Sequence, residues 1–285
     1  MPDSLRFFAS KTAVTPSAII FGAPLDLTES FRRGAGLAPS RIRQMSDSIE
    51  SYSHVLDADI EEMNLVDWGD IPLDGMDVDS SLSAIEACTL RAVEEAPFLI
   101  LGGEHTVTLG AIRGLAKRLP SLIVLHLDAH LDMIDSFEGL TVSHATFLRR
   151  VAECLGPGAL VQLGVRSGTK EEFALAKSCL HSSPDLSLPA ETRRLLQGVP
   201  IYLSLDIDVL DPAFAPGTGN PEPGGHSFKD LANFLYSLRG LDVVGMDIVE
   251  VSPPLDPSDV TSVAAAKLAR ELILLFGRPV ASSKE

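Results

Sequence analysis

The stretch "LHLDAHLDMID", residues 125–135, decides how the rest of the chain is read. Its first half continues an apolar run that begins at Leu122, and its second half sets Asp128, His130 and Asp132 at every second position. A short apolar run of this kind reads as a buried strand. Residues at i, i+2 and i+4 of an extended segment point to the same side, so two carboxylates and an imidazole leave the carboxyl end of that strand together. Charged groups delivered to a place where burial is expected need a partner.

Working outward, short apolar runs alternate with amphipathic stretches along nearly the whole chain. "SAIIFG", "NLVDWG", "PFLILGG", "LIVLHLD", "ALVQLGV", "PIYLSLDID" and "DVVGMDIVEV" read as strands. Between them Val78, Leu82, Ile85, Cys88 and Ala92 follow helical spacing, as do Leu231, Phe234, Leu235 and Leu238, the latter after a Ser227/Asp230 capping box. A last helix is expected from about Ser258 to Phe276, stopped by Gly277 with Pro279 beyond. This is the pattern of an α/β fold, a mostly parallel sheet with helices on both faces. No repeat or low-complexity linker divides the sequence, so a single domain is expected over residues 1–285.

Composition narrows the class. The chain has 285 residues, 45% of them hydrophobic, and its apolar runs fall short of a membrane span. The N-terminal "MPDSLRFFASKTA" lacks the features of a secretion signal, and three cysteines at no metal-binding spacing suit reduced thiols. A cytoplasmic protein is expected. A formal charge of −16 disfavours nucleic acid and anionic membranes and favours small cationic ligands.

In open parallel sheets, ligands bind beyond the carboxyl ends of the strands. "GGEH" follows the strand ending at Leu101, "DAHLD" the one ending near Leu127, and Asp206, Asp208 and Glu250 close two more. If they meet, four aspartates share one small volume, and each pair about 4 Å apart repels by roughly 4 kcal/mol at an effective dielectric near 20. Two divalent cations would balance them, with His105 and His130 completing a set of six ligands. Carboxylates with a minority of imidazole suit Mn²⁺ better than Mg²⁺, and leave zinc, iron, cobalt or nickel open. Of the other histidines, His126 alternates with apolar residues and is expected in the core, while His54, His181 and His226 sit in polar, loop-like contexts.

"GGEHTVT", "DAHLD", "SHATFLRR", "SLDIDVLDP", "GTGNPEPGG" and "MDIVEVSPPLD", in this order, resemble the successive signatures of the ureohydrolase family of arginases and agmatinases, from about Ile20 to Leu275. The resemblance implies a three-layer α/β/α fold with an eight-stranded sheet, two Mn²⁺ per chain, hydrolysis of a guanidino compound by a metal-bridging hydroxide, and a homotrimer or homohexamer. It would place His105, Asp128, Asp132 and Asp206 on one metal and Asp128, His130, Asp206 and Asp208 on the other. His144 matches the family's proton-transfer histidine, and Glu250 the acid that holds the guanidinium. Asp132 could also orient the attacking hydroxide.

Among ureohydrolases the chain is most like agmatinases. Arginases carry an asparagine where it has Ile134, and the Asp132-to-His144 spacing, with Asp135, matches agmatinases. Hydrolysis of agmatine to putrescine and urea is therefore expected, with arginine, guanidinobutyrate, other guanidino acids and formiminoglutamate as neighbouring substrates. Arg33 stands where proline is common and His226 where leucine is usual. These departures touch the outer pocket, where Arg32 and Arg33 could meet an anionic tail and Glu222 could line the entrance. The rival readings are an inactive assembly or regulatory subunit, against which retention of the whole ligand set argues, and a zinc-dependent deacetylase of the same fold, which would hold one metal with fewer carboxylates.

Overall fold

The computed structural model describes residues 5–12 and 14–279. Positions 1–4, 13 and 280–285 lie outside the described residues, and with them the start of the N-terminal segment read above and both ends of the expected domain. The strands are β1 (Ala18–Ala23), β2 (Tyr52–Ser53), β3 (Ala58–Asp59), β4 (Leu65–Asp70), β5 (Phe98–Gly102), β6 (Ile123–Leu127), β7 (Leu160–Leu163), β8 (His181–Ser183), β9 (Pro200–Asp206) and β10 (Asp242–Val249). The helices are α1 (Ala38–Ser46), α2 (Val78–Glu95), α3 (Thr106–Ala116), α4 (Phe147–Leu155), α5 (Lys170–Leu175), α6 (Ala190–Leu195), α7 (Phe228–Ser237) and α8 (Val260–Phe276). None of them is long and apolar enough to cross a membrane.

Eight strands form one sheet in the order β4-β1-β5-β10-β9-β6-β7-β8, with every neighbouring pair parallel. β2 and β3 form a separate antiparallel hairpin. Alternation along the strands feeds two cores. Ile20, Leu125, Leu203 and Ile248 pack with α1, α7 and α8 on one face. Ile19, Phe21, Ile100 and Val124 pack with α2, α3 and α4 on the other. This is the three-layer α/β/α arrangement, and both faces are dry because strands buried on two sides carry apolar residues at nearly every position.

The apolar runs account for seven of the sheet strands. The eighth, β8, is a half-buried edge strand of sequence "HSS" without apolar character, so that His181, expected in a loop, starts a strand instead. α8 begins at Val260, two residues after the expected Ser258, because Asp259 takes a left-handed conformation (φ 56°). It ends at Phe276, where the Gly277 N–H still bonds Ile273 O at 2.9 Å.

The capping box at α7 is present: Ser227 Oγ accepts from Asp230 N at 3.1 Å, and Asp230 Oδ2 accepts from Ser227 N at 3.2 Å. Ser227→Ala removes the acceptor for one orphan helix N–H and should cost about 1 kcal/mol. A urea denaturation midpoint unmoved by this change would show that the box contributes nothing.

Candidate active site

β5, β10, β9 and β6 are consecutive in the sheet, and their carboxyl ends meet at one rim. After β5 the chain must turn tightly against the segment leaving β1. Gly103 N and Glu104 N donate to Ala23 O and Leu25 O at 2.9 and 2.8 Å. A Cβ on Gly103 would stand 1.9 Å from Leu25 O, so only glycine fits. That turn delivers His105 to the N-terminus of α3, directly over the ends of β6 and β9.

His105 Nδ1 lies 3.2 Å from Asp128 Oδ2, 3.2 Å from Asp206 Oδ2 and 3.5 Å from Asp132 Oδ2. His130 Nδ1 lies 2.9 Å from Asp208 Oδ2 and 3.5 Å from Asp128 Oδ1. Three of the aspartates are held alike. Asp128 Oδ1 accepts from His130 N at 2.6 Å, Asp206 Oδ1 from Asp208 N at 2.7 Å, and Asp208 Oδ1 from Ala129 N at 3.1 Å. Each thus has one oxygen tied to backbone while Oδ2 faces an imidazole.

These residues fit divalent cations on their own geometry. His105 Nδ1 and Asp128 Oδ2 are buried without a hydrogen-bond partner, although acceptors or donors crowd around both. His105, His126, Asp128 and Asp132 offer ligand atoms within 4.8 Å of one another, as do Asp128, His130 and Asp208. Asp128 belongs to both groups. Asp206 belongs to neither, although its Oδ2 stands against His105 on the side of the first. The His105 ring is fixed from behind: Nε2 meets Ser204 Oγ at 2.8 Å, and Ser204 Oγ donates to Asp247 Oδ1 at 2.8 Å. A second partner of this kind sets which ring nitrogen faces the ligand side.

His126 is the residue whose place the sequence did not reveal. It is buried, as expected for a core position, yet Nε2 lies 2.9 Å from Asp128 Oδ2 and its ring packs near His105. The signal was its register, since 126, 128, 130 and 132 fall on one alternation.

Electrostatics carry the same message. Burial, then the charges of Asp208 and Asp128, push Asp206 well above the usual carboxylate range, and burial with Asp128 raises Asp132. Burial also opposes ionisation of Asp128, but His126, His105 and His130 outweigh it and hold Asp128 well below that range. Against burial, Asp128, Asp132 and Asp206 keep His105 well above the ordinary imidazole value. Protons here do the balancing that cations with oxygen and nitrogen ligands would do.

His144 and Glu250 approach from two other directions. His144 N donates to Thr28 Oγ1 at 2.9 Å, its Nε2 lies 3.4 Å from Ser30 Oγ, and the edge of Phe137 packs on its ring. Glu250 Oε1 accepts from His105 N at 2.7 Å. Burial, then Asp206 and Glu29, raise Glu250 well above its ordinary value. Asp132 and Glu250 both adopt left-handed backbone conformations, φ 52° and 64°. Non-glycine residues held there cost about 1–3 kcal/mol each and tend to gather at working sites.

A cavity of about 470 Å³ joins these parts. His130, Asp132, His144, Asp206, Asp208 and Glu250 line it, with His105 and Asp128 buried beneath. Ile134, Phe137 and Phe31 form apolar wall, and Glu222 lies in the lining as well. Arg32 does not: its Nε and Nη2 donate to Gly219 O and Thr218 O at 2.9 and 3.0 Å. His226 turns away to Pro184 O, and Asp135 pairs with Arg150 at the surface.

Comparison with known proteins agrees with this architecture. Residues 16–275 match the model of the arginase family. An agmatinase of Bacillus anthracis is 42% identical over 262 residues, covering 90% of either chain. A guanidinobutyrase of Pseudomonas aeruginosa is 36% identical over 275 residues, covering 91% of this chain and 86% of its own. The structure of a proclavaminate amidino hydrolase from Streptomyces clavuligerus superposes with a TM-score of 0.84 at 31% identity, covering 98% of each chain. With the parallel sheet, the rim of carboxylates and these likenesses together, the chain belongs to the arginase family and is a ureohydrolase.

Proposed function

We propose that the protein hydrolyses agmatine to putrescine and urea with two Mn²⁺ ions. The observation that carries the substrate is the charge of the cavity wall. Beyond Asp132, Asp206 and Asp208, whose charge the ions would balance, its lining still carries Glu172, Glu222 and Glu250, and no lysine or arginine stands among the described lining residues. A dication with an aliphatic spacer suits such a wall, whereas an α-carboxylate brought to Ile134 and Phe137 would be desolvated without a partner. The resemblance of the chain to an agmatinase at 42% identity points the same way.

His105, Asp128, His130, Asp132, Asp206 and Asp208 would hold the ions, Asp128 contributing to both groups. The ions would supply Lewis acidity, lowering the pKa of a bound water so that hydroxide is available near neutral pH. Everything else falls to the chain. Glu250, fixed by His105 N, pairs with the planar guanidinium and holds its carbon towards Asp132 and Asp206. The water oxygen adds to that carbon and becomes the carbonyl oxygen of urea. Both water protons finish on the departing amine: Asp132 takes up one and passes it on, and His144, having accepted the other as the attacking water ionises, hands it over as the C–N bond breaks. Ile134 and Phe137 give the spacer side of the cavity an apolar wall.

The protein is proposed to act in the cytoplasm, where its three unpaired cysteines stay reduced, and as a homotrimer or homohexamer, which light scattering of the purified chain would reveal.

The test is a comparison of agmatine, arginine and guanidinobutyrate with manganese-loaded protein, following urea. Agmatine should exceed both in kcat/KM by at least about tenfold, since either acid leaves an anion unpaired. Equal efficiency with arginine, or preference for guanidinobutyrate, would overturn the substrate assignment.

A further inference from the structure

The carboxylates of the cavity differ in what already holds them. Asp132, Asp206 and Asp208 stand against the histidines of the candidate metal centre. Glu250 Oε1 accepts from His105 N at 2.7 Å. Glu172 is buried with both oxygens taken by backbone, Oε1 accepting from Met133 N at 2.9 Å and Oε2 from Thr169 N at 2.8 Å. Glu222 is the exception. It is half-buried in the lining, and among the described residues hydrogen bonds engage its carbonyl but neither a hydrogen bond nor an ion pair engages its carboxylate.

That backbone is held firmly. Glu222 O accepts from Arg166 Nη2 at 2.7 Å and from Arg166 Nε at 3.3 Å. The same Nη2 donates to Asp208 O at 2.7 Å, so one guanidinium ties the wall at Glu222 to the segment that carries Asp208. Arg166 directs its remaining donor to carbonyls as well, Gly164 O and Val209 O. The chain on either side is pinned too. Arg32 donates to Thr218 O and Gly219 O, and Asp211 Oδ2 accepts from Gly224 N and Gly225 N at 2.8 and 3.0 Å. At Gly225 a Cβ would stand 2.6 Å from both Arg166 Nη2 and Asp211 N, so the clamp closes only on glycine.

We propose that Glu222 is a specificity-determining residue: its carboxylate receives the ammonium at the far end of the substrate's spacer, opposite the guanidinium that Glu250 binds. A carboxylate with no partner in a cavity wall recognises a cation by charge-assisted hydrogen bonds, and one carried on a clamped backbone needs little ordering to do so. The substrate class is then a guanidinoalkylamine. A guanidino acid of the same length would bring a like charge to Glu222.

This inference rests on the reading of the protein as a hydrolase of agmatine. The experiment compares the parent, Glu222→Gln and Glu222→Ala, each manganese-loaded, on agmatine, on guanidinobutyrate and on butylguanidine, which has agmatine's spacer without the ammonium. The quantity read is the ratio of kcat/KM for agmatine to that for butylguanidine. In the parent it should be about tenfold or more, and Glu222→Ala should lower it by about tenfold, mainly through KM for agmatine. Glu222→Gln, whose amide oxygen still accepts, should lower it by about threefold. Guanidinobutyrate should gain on agmatine in both variants. A packing role would depress all substrates together and leave the ratios unmoved. Unmoved ratios in a parent that prefers agmatine would therefore overturn the role of Glu222 and leave the agmatine reading standing. A parent ratio near one would also overturn that role, because nothing in the cavity would then recognise the ammonium. A parent that prefers guanidinobutyrate would overturn both.

Discussion

Asp128→Ala should lower kcat/KM for agmatine by on the order of 10³-fold or more and release both metal ions together, because this one carboxylate reaches both ligand groups. Its Oδ2 stands 3.2 Å from His105 Nδ1 and its Oδ1 3.5 Å from His130 Nδ1. The backbone of His130 hangs on the same side chain at 2.6 Å, so the second group loses its geometry along with a ligand. A replacement confined to one group, such as Asp208→Ala, should in contrast leave the first group of ligands complete. Elemental analysis after dialysis distinguishes the two. Full retention of one equivalent in Asp128→Ala would mean that Asp128 serves a single ion, and unchanged activity would remove it from the centre altogether.

What was legible in the sequence follows from where each group sits on the sheet. β6, β9 and β10 are apolar on both faces, so a charged residue at their ends stands out, and the two-residue alternation of "DAHLD" and "DID" already says which side chains share a side. β8 was not legible, because a three-residue edge strand half open to solvent needs no apolar residues. His126 was half legible: its apolar neighbours announced burial and hid its register with Asp128. Glu29 carried no signal at all. It lies in the loop after β1, where a carboxylate is ordinarily solvated, yet it is 6% exposed. Alternation along a strand is a local property, whereas burial of a loop residue is decided by segments far away in the chain. The left-handed backbone at Asp132 and Glu250 is likewise imposed by the tertiary frame.

His144→Ala is expected to reduce kcat by about 10²-fold, the usual worth of a positioned general acid, while leaving metal content and KM close to those of the parent. The separation follows from geometry. No ring atom of His144 belongs to either group of ligand atoms, and its backbone is anchored independently of them, by Thr28 Oγ1 at 2.9 Å. Its ring lines the cavity beside Phe137, and its one polar contact is a long one to Ser30 Oγ at 3.4 Å, which leaves the ring nitrogens uncommitted to a strong partner. An amine leaving unprotonated would be expelled as an anion, which makes the deficit one of turnover and not of binding. Truncation to alanine opens space beside Phe137 in which free imidazole can stand, and added imidazole should restore part of the rate without altering KM. Turnover equal to the parent would assign the proton transfer elsewhere. Loss of a metal equivalent would make His144 a ligand, and the acid would then have to be sought among the remaining groups of the cavity wall, of which Glu222 is the one held by neither ion nor backbone.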